Sequence, residues 1–179
     1  MFLLVFLTLF GFGGAAGADQ TDPRLDTLFE DLRTGEALDA QETANRIIAI
    51  WSDAPSDTVD LLFQRAKSSA DAGAYDLAAA LLDHVTGLAP NFAEGYALRG
   101  VVRLAQEDRE GALADFSTTL TLEPRHFDVR IALADLLAGG GETREAYDMF
   151  QKALEWNPHD DYASRRARSL RRDLDGQEI

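Results

Sequence analysis

Three short stretches decide the fold: Leu88-Ala89-Pro90, Leu122-Glu123-Pro124 and Trp156-Asn157-Pro158. Their prolines stand 34 residues apart both times, in a chain that has only 5. Windows of that period starting at Val59, Ala93 and Phe127 superimpose Ala78 on Ala112 and Ala146, and Leu82 on Phe116 and Phe150. Within each window two apolar patterns of helical spacing are separated by a break, near Gly73, Asp108 and Gly140. Each window therefore reads as helix, tight turn, helix. The alanines give the physical reason, because two antiparallel helices approach closely only where a side chain is small. Opposite them the first helix offers Ala66, Gly100 or Ala134. The Leu or Phe one turn beyond each alanine fills the space toward the next pair. Proline then ends the second helix, since it lacks an N–H and its ring clashes with a continuing turn.

The stretch from Val59 to Pro158 resembles three tandem tetratricopeptide repeats, whose pattern is W-x2-L-G-x2-Y, then A-x3-F, then P. The second half of the pattern stands in "AAALL", "ALADF" and "AYDMF", each followed by its proline. The first half is looser, with Tyr96, Arg99, Gly100 and Arg103 in the middle copy and Arg130, Leu133, Ala134 and Leu137 in the last. Arg103 and Arg130 stand where the family packs an aromatic ring. The resemblance implies an all-α fold, an α-solenoid of antiparallel helix pairs over 59–92, 93–126 and 127–160. It also implies a concave groove lined by the first helix of each pair, which places Phe63, Lys67, Ala97, Val101, Leu104, Ile131 and Asp135 along it. Phe63 and Ile131 fit a role as cover for neighbouring helices equally well, because amphipathic patterning does not separate core from groove. Asp60, Glu94 and Asp128 recur in the first turn of these helices. There they complement the helix dipole, and as a line along one groove edge they would also select a basic segment. The Asn and Lys cluster by which some relatives clamp a C-terminal carboxylate is not evident.

The flanks extend the pattern. Over 19–58, Ala44 falls in register with the repeated alanines and Ile48 with Leu82, while Leu28 and Leu32 mark a short preceding helix. This is expected to be a degenerate first pair, its second helix opened by Asp39 and Glu42 at capping-box spacing, with Ser56 where proline would stand. Over 161–179, Ala163, Ala167, Leu170 and Leu174 form one stripe, with Arg165, Arg166, Arg168, Arg171 and Arg172 on the other faces. A half-polar helix of this kind is expected to cap the open end of the stack.

At the N-terminus, the apolar run from Phe2 to Phe12 precedes Ala16-Gly17-Ala18, which fits an A-x-A cleavage signal. Residues 1–18 read as a signal peptide cut before Asp19, and the protein as exported, to a periplasm. The n-region departs from the signal pattern in having no Lys or Arg. An uncleaved membrane anchor is the alternative, although the run is shorter than the ~20 residues of a spanning helix. Membrane contact is expected only if that segment is retained.

A formal net charge of -14 disfavours nucleic acid and anionic lipid, both of which are bound through Lys and Arg. The absence of cysteine excludes disulfides, thiolate metal sites and a Cys nucleophile. His84, His126 and His159 fall at different places in the repeat and lack metal-ligand spacing, so solvated or cap-forming roles fit them. "GGG" at Gly139 lacks the Lys of a phosphate loop and fits a helix C-cap. No catalytic residue, cofactor or metal site is assigned. The expected function is non-catalytic binding of a protein or peptide segment, basic or apolar. The alternatives are a self-associating or membrane-tethered structural protein, and an enzyme.

Overall fold

The computed structural model describes residues 20–177; the segment read as a signal peptide lies outside them. Among the described residues the ordered elements are helices: α1 (Arg24–Thr34), α2 (Ala37–Trp51), α3 (Asp57–Asp71), α4 (Tyr75–Leu88), α5 (Ala93–Ala105), α6 (Arg109–Leu122), α7 (Phe127–Gly139), α8 (Thr143–Trp156) and α9 (Asp161–Gln177). Helices α3/α4, α5/α6 and α7/α8 form three antiparallel pairs stacked in an α-solenoid, and α9 closes its C-terminal end.

The proline period sets the pair-to-pair joints. Ala89, Glu123 and Asn157 end the second helices, and their N–H groups still bond the carbonyls of Val85, Thr119 and Ala153. Their ψ angles are 74°, 91° and 81°, away from the helical region, as a following proline demands. The turn inside each pair keeps the same period. Gly73, Glu107 and Gly141 all have positive φ, at 74°, 64° and 86°. Glu107 thus holds a backbone position that glycine supplies in the other two copies.

Ala78, Ala112 and Ala146 are fully buried, as are Ala66 and Ala134 opposite two of them. At Gly100 a Cβ would stand 2.5 Å from the ring of Phe116, so that crossing has no room for a methyl group. Each pair is completed by the next: Val102 of α5 joins the core of α3/α4, Val129 of α7 joins that of α5/α6, and Ala163, Ala167 and Leu170 of α9 join Ala134, Ala146 and Phe150. Replacing Ala112 by Leu is expected to destabilise the fold by about 1–3 kcal/mol through overpacking. The same change at the exposed Ala114 should be nearly neutral; equal shifts of Tm would contradict this register.

Arg103 and Arg130 both find polar partners, although the Arg130 Nε is buried without one among the described residues. Arg99 and Arg103 reach across to Asp115 of α6, a carboxylate with 3% of its side chain exposed, at 2.7 and 2.8 Å. Arg99 also donates to Thr86 and Asp83, and Arg130 to the carbonyl of Pro124.

The N-terminal pair departs from the sequence reading. Rather than stacking ahead of α3 as a first repeat, α1 and α2 fold back over the proline turns of the later repeats. Their buried Leu25, Leu28, Phe29, Leu32, Ala44, Ile47 and Trp51 share a core with Phe127 of α7 and Ala153 of α8. Trp51 stacks on His126 at 4.2 Å, and Phe29 meets Phe127 and Trp156 edge-on. Polar contacts fix the position: the Trp51 indole N–H donates to Glu123 at 3.3 Å, and Arg125 holds both Glu123 oxygens and Asp26. The Arg125 guanidinium also lies 4.6 Å from the centre of the Phe29 ring. The capping box is likewise corrected, because α2 starts after Glu36 and Asp39 lies inside its first turn. Ser56 instead caps α3, its hydroxyl accepting from the Val59 N–H.

Candidate functional site: a cleft between the first helices of two repeats

Two repeat positions control the concave side. Phe63, Ala97 and Ile131 occupy the same place in successive first helices, and Lys67, Val101 and Asp135 the place one turn later. Phe63 is large, 2% exposed, and packs edge-on against Phe92, so it belongs to the core and not to the groove. Ile131 is half-buried and packs against two neighbouring core clusters. Asp135 accepts the hydroxyl hydrogen of Tyr162 at 2.7 Å and pairs with Arg166 at 3.1 Å, which commits it to docking α9. Between them Ala97 is too small to fill the space between α5 and α7.

A cleft of about 140 Å³ opens there, lined by Glu94, Ala97, Leu98 and Val101 of α5 and by His126, Asp128, Val129 and Ala132 around α7. Val101 is 50% exposed at its mouth. Four of the ten residues expected from the sequence thus meet here: Ala97, Val101, Glu94 and Asp128. Lys67 is exposed on α3, Leu104 packs half-buried toward Ala112 and Phe116, and Asp60 accepts from Gln64 on its own helix. The pattern gave no sign of Leu98, His126, Val129 or Ala132. The histidine had a readable signal, since it directly precedes an apolar helix start, where it serves as a cap.

His126 organises the acidic end. Its Nδ1 accepts from the Val129 N–H at the start of α7, which leaves Nε2 to carry the hydrogen toward Glu94 Oε2 at 3.1 Å. The ring is buried between this contact and Trp51, so the N-terminal pair backs the cleft floor. Asp128 receives no hydrogen bond among the described residues. The residue as a whole is exposed, yet its carboxyl is crowded against the concave wall. This loss of hydration pushes its pKa up to about 6; the pull of His126 opposes the rise, and the nearby Glu94 and Asp160 carboxylates reinforce it. Among the described residues no Lys or Arg lines the cleft. Among the described residues, no cluster of His, Asp and Glu is arranged to hold a metal ion.

The raised Asp128 pKa has a sign. The folded state holds this proton more tightly than the unfolded chain, so its contribution to stability falls as pH rises from about 4 to 6 and is level beyond. Asp128→Asn should therefore stabilise the protein at pH 7 and have no such effect near pH 3.5. Solvent screening holds the gain to about 1 kcal/mol. Urea unfolding at the two pH values checks this, and an equal effect at both would contradict it.

The tetratricopeptide repeat family profile matches residues 103–169. A TPR repeat-containing protein of Rhizobium etli is 29% identical over 154 residues, covering 86% of this chain and 76% of the relative. Among solved structures, the Yersinia enterocolitica type III secretion chaperone SycD, in complex with a peptide of the translocator YopD, is similar with a TM-score of 0.63. It is 18% identical and the match covers 66% of this chain and 96% of that one. The first TPR of Spaghetti (RPAP3), bound to an HSP90 peptide, has a TM-score of 0.63 and 16% identity, over 68% of this chain and 96% of that one. At these identities the neighbours show the fold alone. The helix pairs, the 34-residue period, the profile match over residues 103–169 and a relative along most of the chain agree that this chain carries tetratricopeptide repeats.

Proposed function

We propose that the chain is a non-catalytic interaction module that binds a segment of another protein in the concave cleft between α5 and α7. The observation that carries this reading is the open apolar cleft flanked by Val101, with the polar groups of Glu94 and Asp128 at one end. Two neighbours of the same fold, the secretion chaperone and the first TPR of Spaghetti, carry bound peptides, which supports a peptide as the ligand class. A selection from a random peptide display library against the folded chain tests this. Val101→Glu should lower capture of the selected peptides at least tenfold while leaving Tm unchanged, because the side chain is half in water. Capture insensitive to that change would move the binding surface elsewhere. Leu104 is unsuited to the same test, since a charge placed among Ala112 and Phe116 would cost folding energy.

The proposed location is extracytoplasmic, on the strength of the apolar run and Ala16-Gly17-Ala18. Recovery of Asp19 as the N-terminus of soluble exported protein would support it, and intact Met1 in the membrane fraction would favour an anchor.

A further inference from the structure

The two ends of the cleft differ in chemistry. At one end Glu94 and Asp128 come from the first turns of α5 and α7, with His126 beside them and no Lys or Arg among the described residues of the lining. One Glu94 oxygen faces His126, while Asp128 has no hydrogen-bond donor among the described residues, so negative charge is left for a ligand to neutralise. At the other end Val101 and the methyl groups of Leu98 and Ala132 offer an apolar wall. Glu94 and Val101 are 7 positions apart on one helix, a separation of about 10.5 Å at 1.5 Å per residue. An extended peptide covers that distance in about three residues.

Resting on the concave-face reading, we propose that the partner segment is extended and basic-apolar, placing a Lys or Arg and a Leu-sized residue three positions apart. The cation lies between Glu94 and Asp128, and the apolar side chain covers Val101 and Ala132. A cation there offsets both the lost hydration of the Asp128 carboxylate and the like charge of Glu94 beside it. An acidic segment meets uncompensated like charge at the same place, which costs affinity and supplies specificity.

Four acetylated and amidated peptides, GSKAALSG, GSLAAKSG, GSEAALSG and GSLAALSG, titrated into isotope-labelled protein and followed by NMR, test this. At least one of the two Lys peptides should move the signals of Ala97, Leu98, Val101, Val129 and Ala132, and bind at least fivefold tighter than the other two. That preference should shrink severalfold between 50 and 500 mM salt. It should fall with Glu94→Gln combined with Asp128→Asn, and Asp128→Arg should turn it toward the Glu peptide. If the Glu or all-apolar peptide binds the cleft equally well, the partner chemistry is wrong and the concave-face reading stands. If none of the four moves those signals at millimolar peptide, both fall.

Discussion

Trp51→Ala releases the N-terminal helix pair from the repeats, at a cost of about 3–5 kcal/mol. The indole is 1% exposed and touches four aromatic or polar partners at once: His126, Phe29, Phe127 and Glu123. Truncation removes a large apolar surface and leaves the buried Glu123 with one donor fewer. The loss is local, because a solenoid holds each pair mainly through its neighbours, and α3–α6 draw their core from residues outside the N-terminal cluster. Hydrogen exchange by mass spectrometry should show peptides of α1 and α2 losing protection while α5 and α6 keep theirs. A protease should then cut within residues 24–56. Unchanged protection over α1 and α2 would contradict the docking described here.

Asp115→Ala should cost about 3 kcal/mol, since removing one member of a buried charge cluster leaves its partners uncompensated. Asp115 faces Arg99 through both oxygens and Arg103 through one. Arg99 keeps Asp83 and Thr86, which limits the penalty on its side. The electrostatic origin has its own control. Replacing Asp115, Arg99 and Arg103 together by Met removes every charge and should recover most of the stability. Chemical denaturation of the single and triple variants measures both. A triple variant as unstable as Asp115→Ala would mean that shape, not charge, holds α5 to α6.

The repeat was legible because its cause is local and periodic: a small residue at each crossing, a bulky one a turn later, a proline at each joint. The C-terminal cap was legible for the same reason, as Ala163, Ala167 and Leu170 bury on the stripe that their spacing marks. The path of the N-terminal pair was not. Ala44 does bury, in register with the other alanines, but what it packs against is decided by Trp51, Glu123 and Arg125, whose contacts span about seventy or more residues and have no period. The cleft was half legible. A helical pattern marks Phe63 and Ala97 as equivalent, and only their sizes decide that one fills the space and the other leaves it open. Asp135 looked like a groove acid and is held by Tyr162 and Arg166, because the sequence does not reveal which charges face α9. Asp115, which no pattern in the sequence singles out, is the counter-charge for Arg99 and Arg103.

The account rests most directly on where a bound segment sits. A methyl-resolved NMR titration with a peptide obtained from the random library measures this without assuming the peptide's chemistry. The largest shifts are expected on Ala97, Leu98, Val101, Val129 and Ala132. Shifts confined to the exposed Leu61 of α3 and Leu77 of α4, or to Leu170 and Ala167 on the Arg-rich helix, with the cleft methyls unmoved, would contradict it.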